Sequence, residues 1–324
     1  MNDARVVIGL SAVIVAVTEE APFVLVTRDA DDGAIGLPFG PFDPAGDRTL
    51  ELSLRGWVKE QTGFDIGYVE QLYTFGDRGR ELAVQDISPE RLISISYLAL
   101  TPTRAALDRP EARWRSWYDF FPWEDWRDGR PRVIDQIIAP RLKDWVQGAE
   151  KDVAAQRRSR IRLAFALDGA VWNEERALDR YELLYEAGLA SEASRDRARF
   201  AGTNASSEKA VAGLGEPMAS DHRRILATAL SRLRAKIKYR PVIFELAPEL
   251  FTLLHLQRLV ESIAGLELHK QNFRRLLDRT GLVEGAGEFD ASAGGRPAEL
   301  FRCRKELLSE RPVGGVHVPA PRGD

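Results

Sequence analysis

The chain has 324 residues, 44% of them hydrophobic and 29% charged, which is typical of a globular protein long enough for two domains with ordinary cores. Cys303 is the only cysteine, so the sequence excludes an intramolecular disulfide framework and a thiolate metal cluster, and it favours a reducing, cytoplasmic setting. The net charge of -3 conceals an asymmetry, because residues 222–312 carry 17 Lys and Arg against 11 Asp and Glu, whereas residues 1–221 carry 28 against 37. The basic C-terminal part predicts a polyanionic partner, although ordinary surface lysines and arginines often give such a bias.

The first 150 residues predict a mixture of strands and helices without regular alternation. Strands are expected from β-branched or alternating apolar runs at 6–17, 23–27, 68–74 and 92–100. Helices are expected from apolar stripes at 50–61, where Gly63 is a typical C-terminal cap, and at 134–146. The fold class is therefore predicted as α+β, with an α/β/α sandwich in this part of the chain. The apolar N-terminal run is too short to span a bilayer and is interpreted as a strand, so no membrane partner is expected.

Four of the seven tryptophans fall within residues 113–127, RWRSWYDFFPWEDWR. Aromatic side chains contribute the largest buried areas, so this segment is interpreted as a hydrophobic plug or a subunit interface. A stacking wall for an adenine or nicotinamide ring is the alternative.

Residues 37–64, LPFGPFDPAGDRTLELSLRGWVKEQTGF, resemble the loop and helix of a Nudix box. Hydrolytic boxes follow G-x5-E-x7-R-E-U-x-E-E-x-G-U, where U is a bulky apolar residue. With Gly63 at the final glycine, Trp57 and Gln61 replace two of the three helix glutamates, and only Glu60 remains. The box arginine falls on Gly56, and the upstream glutamate falls on Arg48, with Glu51 close by.

This substitution pattern bears on catalysis, because a hard divalent cation needs several carboxylate oxygens to bridge a pyrophosphate and activate water. The helix face keeps one formal negative charge where three would stand, so no catalytic residue and no metal site are predicted. A nucleotide pocket can persist without metal, because guanidinium groups bind phosphate through charge-assisted hydrogen bonds. The predicted ligand-binding residues are Arg55, Lys59, Glu60, Arg78, Arg80 and Arg91.

The box, with the runs YVEQLYTFGDRGRE (68–81) and LISISYLALTP (92–102), resembles the Nudix-related transcriptional regulators of NAD metabolism. The resemblance implies a degenerate Nudix domain that senses a nucleotide and a C-terminal winged helix domain that binds DNA. Arg80 lies where this family shows an arginine after the TFGD run. The following ELAVQDISPE is longer than the usual connection, which puts the individual ligand contacts in doubt.

Residues 151–220 predict a connector rather than a catalytic region. Residues 151–187 have helical periodicity and end at Gly188. The small, polar and glycine-rich stretches 201–207 and 212–219 predict a flexible linker.

The C-terminal part has the layout of a winged helix-turn-helix domain. A helix is predicted at 222–239 after the N-cap Asp221, followed by helices at 253–264 and 269–280 and a wing at 285–301. The outer face of the last helix is basic and amide-bearing, which suits adenine edges (Asn, Gln) and guanine or phosphate (Arg). The predicted DNA-binding residues are Lys270, Gln271, Asn272, Arg274, Arg275, Arg279 and, at the wing tip, Arg296.

The family resemblance extends to this part through YRPVIFELAPELFTL, HKQNFRRLL and GRPAELFR, and it is strongest for the alphaproteobacterial branch that controls NAD biosynthesis. It implies a homodimeric repressor of NAD biosynthesis genes that binds a palindromic operator and responds to NAD, ADP-ribose or ATP. No other cofactor is expected. The predicted divisions are 1–150, 151–220, 221–312 and a tail at 313–324. A magnesium-dependent pyrophosphohydrolase acting on ADP-ribose, and a nucleotide-binding protein of a complex without DNA, are the alternatives.

Overall fold

The computed structural model describes residues 6–19, 21–29, 33–77, 91–104, 106–201, 211–239, 241–291 and 297–304, with 91 and 239 as backbone only. Its strands are β1 (Val6–Val17), β2 (Pro22–Arg28), β3 (Ile35–Gly36), β4 (Phe39–Pro41), β5 (Tyr68–Phe75), β6 (Arg91–Thr101), β7 (Ala112–Ser116), β8 (Val283–Asp290) and β9 (Ala298–Cys303). Its helices are α1 (Leu50–Thr62), α2 (Ala139–Gln147), α3 (Lys151–Ala164), α4 (Ala177–Glu186), α5 (Ser191–Phe200), α6 (His222–Tyr239), α7 (Leu253–Ala264) and α8 (Lys270–Thr280). Within these residues, every helix is too short or too polar to span a lipid bilayer.

A seven-stranded sheet forms the frame of the N-terminal half. Its central strand, β1, pairs in parallel with β6 over eleven residue pairs, and the sheet has the order β3-β2-β1-β6-β5, with β4 paired to β1 and β7 to β2. Both faces of β1 are buried, because its continuous apolar run supplies side chains to each. The predicted strands at 6–17, 23–27, 68–74 and 92–100 are confirmed within a few residues.

Helices cover both faces of this sheet. Helix α1 places Leu54 and Val58 against Leu10, Ile14 and Leu25 on one face. The opposite face packs against the helices that follow the sheet in the chain, including α2, α4 and α6. The α/β/α sandwich predicted from the sequence is therefore confirmed, and the whole chain is a mixture of helices and sheet.

The ends of α1 follow from its capping residues. The Thr49 hydroxyl accepts a hydrogen bond from the Leu52 N–H, which satisfies one of the free donors at the helix start. Gly63 adopts a left-handed conformation (φ 74°), which closes the helix where the sequence predicted.

A winged helix domain follows α6. Helix α7 ends at Gly265 (φ 68°), and α8 buries Phe273 and Leu277 against the domain core. Strands β8 and β9 form the antiparallel wing, which Phe301 ties to Phe251 through two backbone hydrogen bonds. The predicted helix-turn-helix and wing are confirmed, and α8 begins one residue later than the helix predicted at 269–280.

The tryptophan-rich segment lies between the sheet and the winged helix domain. Trp117 and Trp123 are each 1% exposed. The Tyr118 hydroxyl donates to the Ser262 carbonyl at 2.6 Å, and the backbone N–H of Trp126 donates to the Gly265 carbonyl at 2.8 Å. The interpretation as a hydrophobic plug is confirmed for Trp117 and Trp123, because neither buried ring has a face open to a ligand.

The flexible linker predicted at 212–219 is wrong. Arg195 donates to the carbonyls of Met218 (2.8 Å) and Ser220 (2.6 Å), so the segment is held against α5. Gly215 (φ 76°) passes so close to the Phe120 carbonyl that a Cβ would lie 2.2 Å from its oxygen. Glycine is thus required here by close packing rather than by flexibility. The linker prediction for 202–207 falls outside the described residues.

Candidate functional site

Two side chains of α1, the helix of the box, hold the loop that contains β4, called the box loop below. They belong to Trp57 and Gln61, which replace glutamates of hydrolytic boxes. The Gln61 side chain accepts from the Phe39 N–H at 3.0 Å and donates to the Phe39 carbonyl at 2.6 Å. The Trp57 indole N–H donates to the Pro41 carbonyl at 2.9 Å. A Cβ on Gly40 would lie 2.1 Å from the Trp57 ring, so this close approach requires glycine. The loop strand β4 is therefore held by side chains at positions that bind metal in hydrolytic boxes.

The described acidic side chains of the box are not gathered as metal ligands would be. Glu60 is exposed, and Glu51 pairs with Arg55 at 2.8 Å on the helix surface. Across the described stretches of the chain, no three His, Cys, Asp or Glu side chains come together as metal ligands would. A magnesium ion bound in hydrolytic fashion does not fit this donor set.

Two of the predicted ligand-binding residues are engaged by acceptors of the chain itself. Arg55 donates to Glu51 and to the carbonyls of Ile66 and Gly67. Lys59 donates to the Gly63 carbonyl at 3.1 Å and pairs with Asp65 at 2.6 Å.

The remaining predicted ligand-binding residues are either exposed or outside the part of the chain that the structure describes. Glu60 points to solvent, while Arg78, Arg80 and the side chain of Arg91 fall outside the described residues. The structure therefore describes only the side chains of Arg55, Lys59 and Glu60 among the six, and the ligand contacts of all six stay a prediction.

A buried histidine joins the box loop to α6. The His222 Nδ1 accepts a hydrogen bond from the Leu37 N–H at 3.0 Å, and its ring lies 5.8 Å from the Phe39 ring. Burial lowers the pKa of His222 to about 3, with nearby Arg195 adding to the effect, so the ring is neutral and can act as an acceptor. The box loop is therefore hydrogen-bonded both to Gln61 of α1 and to His222, the first residue of α6. His222 was not predicted from the sequence, because the helix pattern indicates only Asp221 beside it as an N-cap.

A fully buried triad of charged side chains links α6 to α4 and to the tryptophan-rich segment, and one of its members also contacts the winged helix domain. Glu124 pairs with Arg180 of α4 and with Arg234 of α6, each at 2.5 Å, and all three side chains are 0% exposed. Burial alone would raise the pKa of Glu124, but the two guanidinium groups outweigh it and lower that pKa. Arg234 also donates to the Ile263 carbonyl of α7 at 2.8 Å. One residue of α6 therefore holds the tryptophan-rich segment and the winged helix domain together.

A second set of charged contacts joins the sheet to the winged helix domain. Glu19, in the turn between β1 and β2, contacts His255 at 2.8 Å and Arg258 at 2.5 Å on α7. Glu70 of β5 also pairs with Lys236 of α6, the helix that precedes the winged helix domain. The winged helix domain is therefore docked on the sandwich through polar contacts as well as through packing.

Helix α8 presents the predicted DNA-binding side chains to solvent. Lys270, Gln271, Asn272, Arg274, Arg275 and Arg279 are all exposed. None of the six makes a side-chain hydrogen bond or ion pair with another described residue, so their donors are available to a partner. Arg296, predicted at the wing tip, lies outside the described residues.

A hollow of about 360 Å³ opens beside this helix. The recessed side chains of Leu268 and Phe273 and the half-buried Leu276 supply apolar lining, and Asn272, Arg275 and Arg279 border it. This hollow was not predicted from the sequence, which drew attention only to the basic and amide side chains of the helix.

The chain resembles known proteins in sequence. The family model described as the NrtR DNA-binding winged helix domain matches residues 243–303. The ADPR responsive transcriptional repressor NtrR of Acinetobacter baylyi is 44% identical over 87 residues, which cover 26% of this chain and 34% of that protein. The match therefore spans about a third of that curated relative.

Solved structures resemble the chain over nearly its whole length. The crystal structure of Shewanella oneidensis NrtR has a TM-score of 0.53 at 19% identity and covers 93% of this chain and 96% of its own. The same protein complexed with a 27mer DNA gives 0.53 at 18% identity, covering 96% and 98%. A MutT/nudix family protein from Enterococcus faecalis also gives 0.53, at 14% identity, covering 94% and 88%. At these identities the likeness shows a shared fold.

The fold and the sites define a class of protein in which a Nudix-like sandwich is joined to a C-terminal winged helix domain. The family-model match shows that this domain is of the NrtR type, and the structural likeness extends over both domains. Residues 243–303 therefore match the NrtR winged helix domain, and the chain shares the fold of the Shewanella protein, both in agreement with the resemblance noted in the sequence. Its assignment to the alphaproteobacterial branch stays a prediction.

Proposed function

We propose that this protein is a ligand-responsive transcriptional repressor that binds operator DNA through α8 and senses a nucleotide in its Nudix-like domain. One observation carries the proposal: the box loop contacts His222 at the start of α6, and Arg234 of the same helix bonds to α7. The exposed basic and amide face of α8 supplies the DNA contacts. The name of the Acinetobacter relative makes ADP-ribose the first effector to test, ahead of NAD and ATP.

The coupling between the two sites follows from these contacts. A nucleotide that binds better to one position of the loop at Phe39–Pro41 shifts the population toward that position. His222 carries the shift to α6, and Arg234 carries it to α7. Operator affinity then changes by the difference in nucleotide affinity between the two states. In a homodimer bound to a palindromic operator, the spacing of two winged helix domains would be the quantity that changes.

We propose further that the Nudix-like domain does not hydrolyse its ligand. Trp57 and Gln61 hold the loop through neutral hydrogen bonds, so two of the carboxylates that a hydrolytic metal site needs are absent. Magnesium-dependent hydrolysis of ADP-ribose remains the second candidate, because Glu60 keeps an exposed carboxylate on the box helix.

A mobility-shift assay with DNA from upstream of NAD biosynthesis genes tests the proposal. The full-length protein is titrated with ADP-ribose, NAD and ATP in turn, beside a magnesium-dependent hydrolysis assay on ADP-ribose. We expect a DNA shift, a change in that shift with one nucleotide, and no turnover. Normal turnover without a DNA shift would favour the hydrolase.

The substitution Arg274→Ala tests the assignment of the reading helix. We expect operator affinity to fall by roughly tenfold, the loss of one base or phosphate contact, with nucleotide affinity unchanged. Arg158→Ala on α3 removes an equally exposed arginine outside the winged helix domain and should change neither. Unchanged operator affinity in the Arg274 variant would mean that another element contacts the DNA.

A further inference from the structure

The exposed surface of α8 is divided into two chemically different stripes. Residues three, four and seven apart lie on one side of a helix. Lys270 and Arg274 therefore share one stripe, which is cationic. Asn272, Leu276 and Arg279 share the other, which borders the hollow described above. The second stripe combines an amide, an apolar surface and a cation within two helical turns.

This combination matches a specific feature of the major groove. The thymine C5-methyl group is the apolar group that base edges present there, and adenine N6 and N7 are read best by the side-chain amide of Asn or Gln. Asn272 and Leu276 are four residues apart, so their Cβ atoms lie about 5–6 Å from each other. Successive bases rise about 3.4 Å along a strand, so the two side chains span one or two base steps.

We propose that the hollow beside α8 receives a thymine methyl group, while Asn272 reads an adenine one or two base pairs away. This inference rests on the proposed DNA-binding function and adds the base preference of the operator. Leu276, Leu268 and Phe273 provide the apolar surface for the methyl group. Arg275 and Arg279 border the hollow and meet the phosphates or a guanine beside it, so the charge of the site is complementary to DNA.

The burial of these side chains suits a base edge. Leu268 and Phe273 are recessed, at 9% and 3% exposed, whereas Asn272 and Arg279 are exposed. A methyl group that enters past the polar side chains therefore meets carbon atoms, and the polar side chains keep contact with the groove. A volume of about 360 Å³ admits the edge of a pyrimidine together with its methyl group.

Deoxyuridine scanning tests the proposal, because deoxyuridine lacks only the methyl group of thymidine. The full-length protein first selects its binding sequence from a random duplex library. Each thymine of the selected duplex is then replaced singly, and dissociation constants are measured. We expect one thymine in each recognition sequence at which the replacement weakens binding about fourfold, the change that burial of one methyl group produces. Equal affinity for every substituted duplex would overturn the inference.

A double comparison assigns the effect to this hollow. In Leu276→Ala the sensitivity to that thymine should disappear, whereas in Arg274→Ala overall affinity should fall and the sensitivity should remain. Full sensitivity in the Leu276 variant would also overturn the inference. The scan on the unaltered protein gives its answer even if the Leu276 variant does not fold. A protein that selects no sequence refutes the proposed function itself, whereas a selected sequence without methyl sensitivity refutes only the base preference.

Discussion

The substitution Gln61→Glu tests whether the Gln61 side chain holds the loop of the box in place or only occupies the position of a lost metal ligand. Gln61 makes two hydrogen bonds with the Phe39 backbone, one as acceptor at 3.0 Å and one as donor at 2.6 Å. A carboxylate keeps the first bond and replaces the second with two acceptor oxygens facing each other. The substitution therefore restores a box glutamate and at the same time damages the contact that holds β4.

The expected cost follows from these two bonds. Losing the donor removes a hydrogen bond worth about 1 kcal/mol, and leaving a half-buried carbonyl opposite a negative charge adds about 1–2 kcal/mol. The total of about 2–3 kcal/mol corresponds to a melting temperature lowered by roughly 3–4 °C in a chain of this size. Protonation would give the introduced carboxyl a donor again, so the folded state raises its pKa above the ordinary value of about 4.3. The loss of stability should therefore be small near pH 4 and grow as the pH rises toward 7.

Thermal unfolding at pH 7 and near pH 4 measures this effect. Glu60→Gln is the matched control, because it changes an exposed neighbour on the same helix and should alter stability by less than about 0.5 kcal/mol. We expect the response of operator binding to nucleotide to weaken in the Gln61 variant. If the variant melts like the unaltered protein at pH 7 and gains magnesium-dependent hydrolysis, the idea that Gln61 holds the box loop in place is refuted.

Two further predictions concern the buried polar residues on the route from the loop to α7. His222→Asn keeps an acceptor for the Leu37 N–H but cannot titrate. Because the folded protein lowers the pKa of His222 to about 3, the unaltered protein should lose about 2 kcal/mol of stability between pH 7 and pH 5, and denaturant titrations should show that this loss is absent in the variant. Glu124→Gln leaves Arg180 and Arg234 buried without their counter-charge, so urea unfolding should report a destabilisation of about 3–5 kcal/mol. Loss of less than about 1 kcal/mol in that titration would contradict the idea that the triad is an anchor.

Local signals explain why much of the fold could be predicted from the sequence. The box helix begins after Thr49 and ends at Gly63, and α7 begins after Thr252 and ends at Gly265. Each of these residues acts on its own turn of the chain, so the side chain and the boundary lie within a few positions of each other. The strands follow the same logic, because β-branched runs fit a pleated, buried surface.

The missed features depend on contacts between distant parts of the chain. His222 meets Leu37 across 185 positions, and Arg234 meets Glu124 across 110. Gly215 was interpreted as a flexible residue, although its neighbour in space is the Phe120 carbonyl. The substitutions at Trp57 and Gln61 were visible in the box pattern. Their hydrogen bonds to Pro41 and Phe39 were not, because the pattern records which ligand is absent and carries no information on the new partner.

The hydrogen bonds of the box loop have free energies in the range that couples two binding sites. In a hydrolytic box, neighbouring carboxylates repel one another unless a cation lies between them, so the geometry of the site depends on metal. Here neutral hydrogen bonds from Trp57 and Gln61 hold the loop, and its position can depend on the nucleotide alone. Each of these bonds, and the one to His222, is worth about 1 kcal/mol. Rearranging one to three of them would supply the 1–3 kcal/mol that changes affinity at a second site by about 5- to 150-fold. A more tightly held loop would not move when the nucleotide binds. A more loosely held loop would move without changing the position of α6.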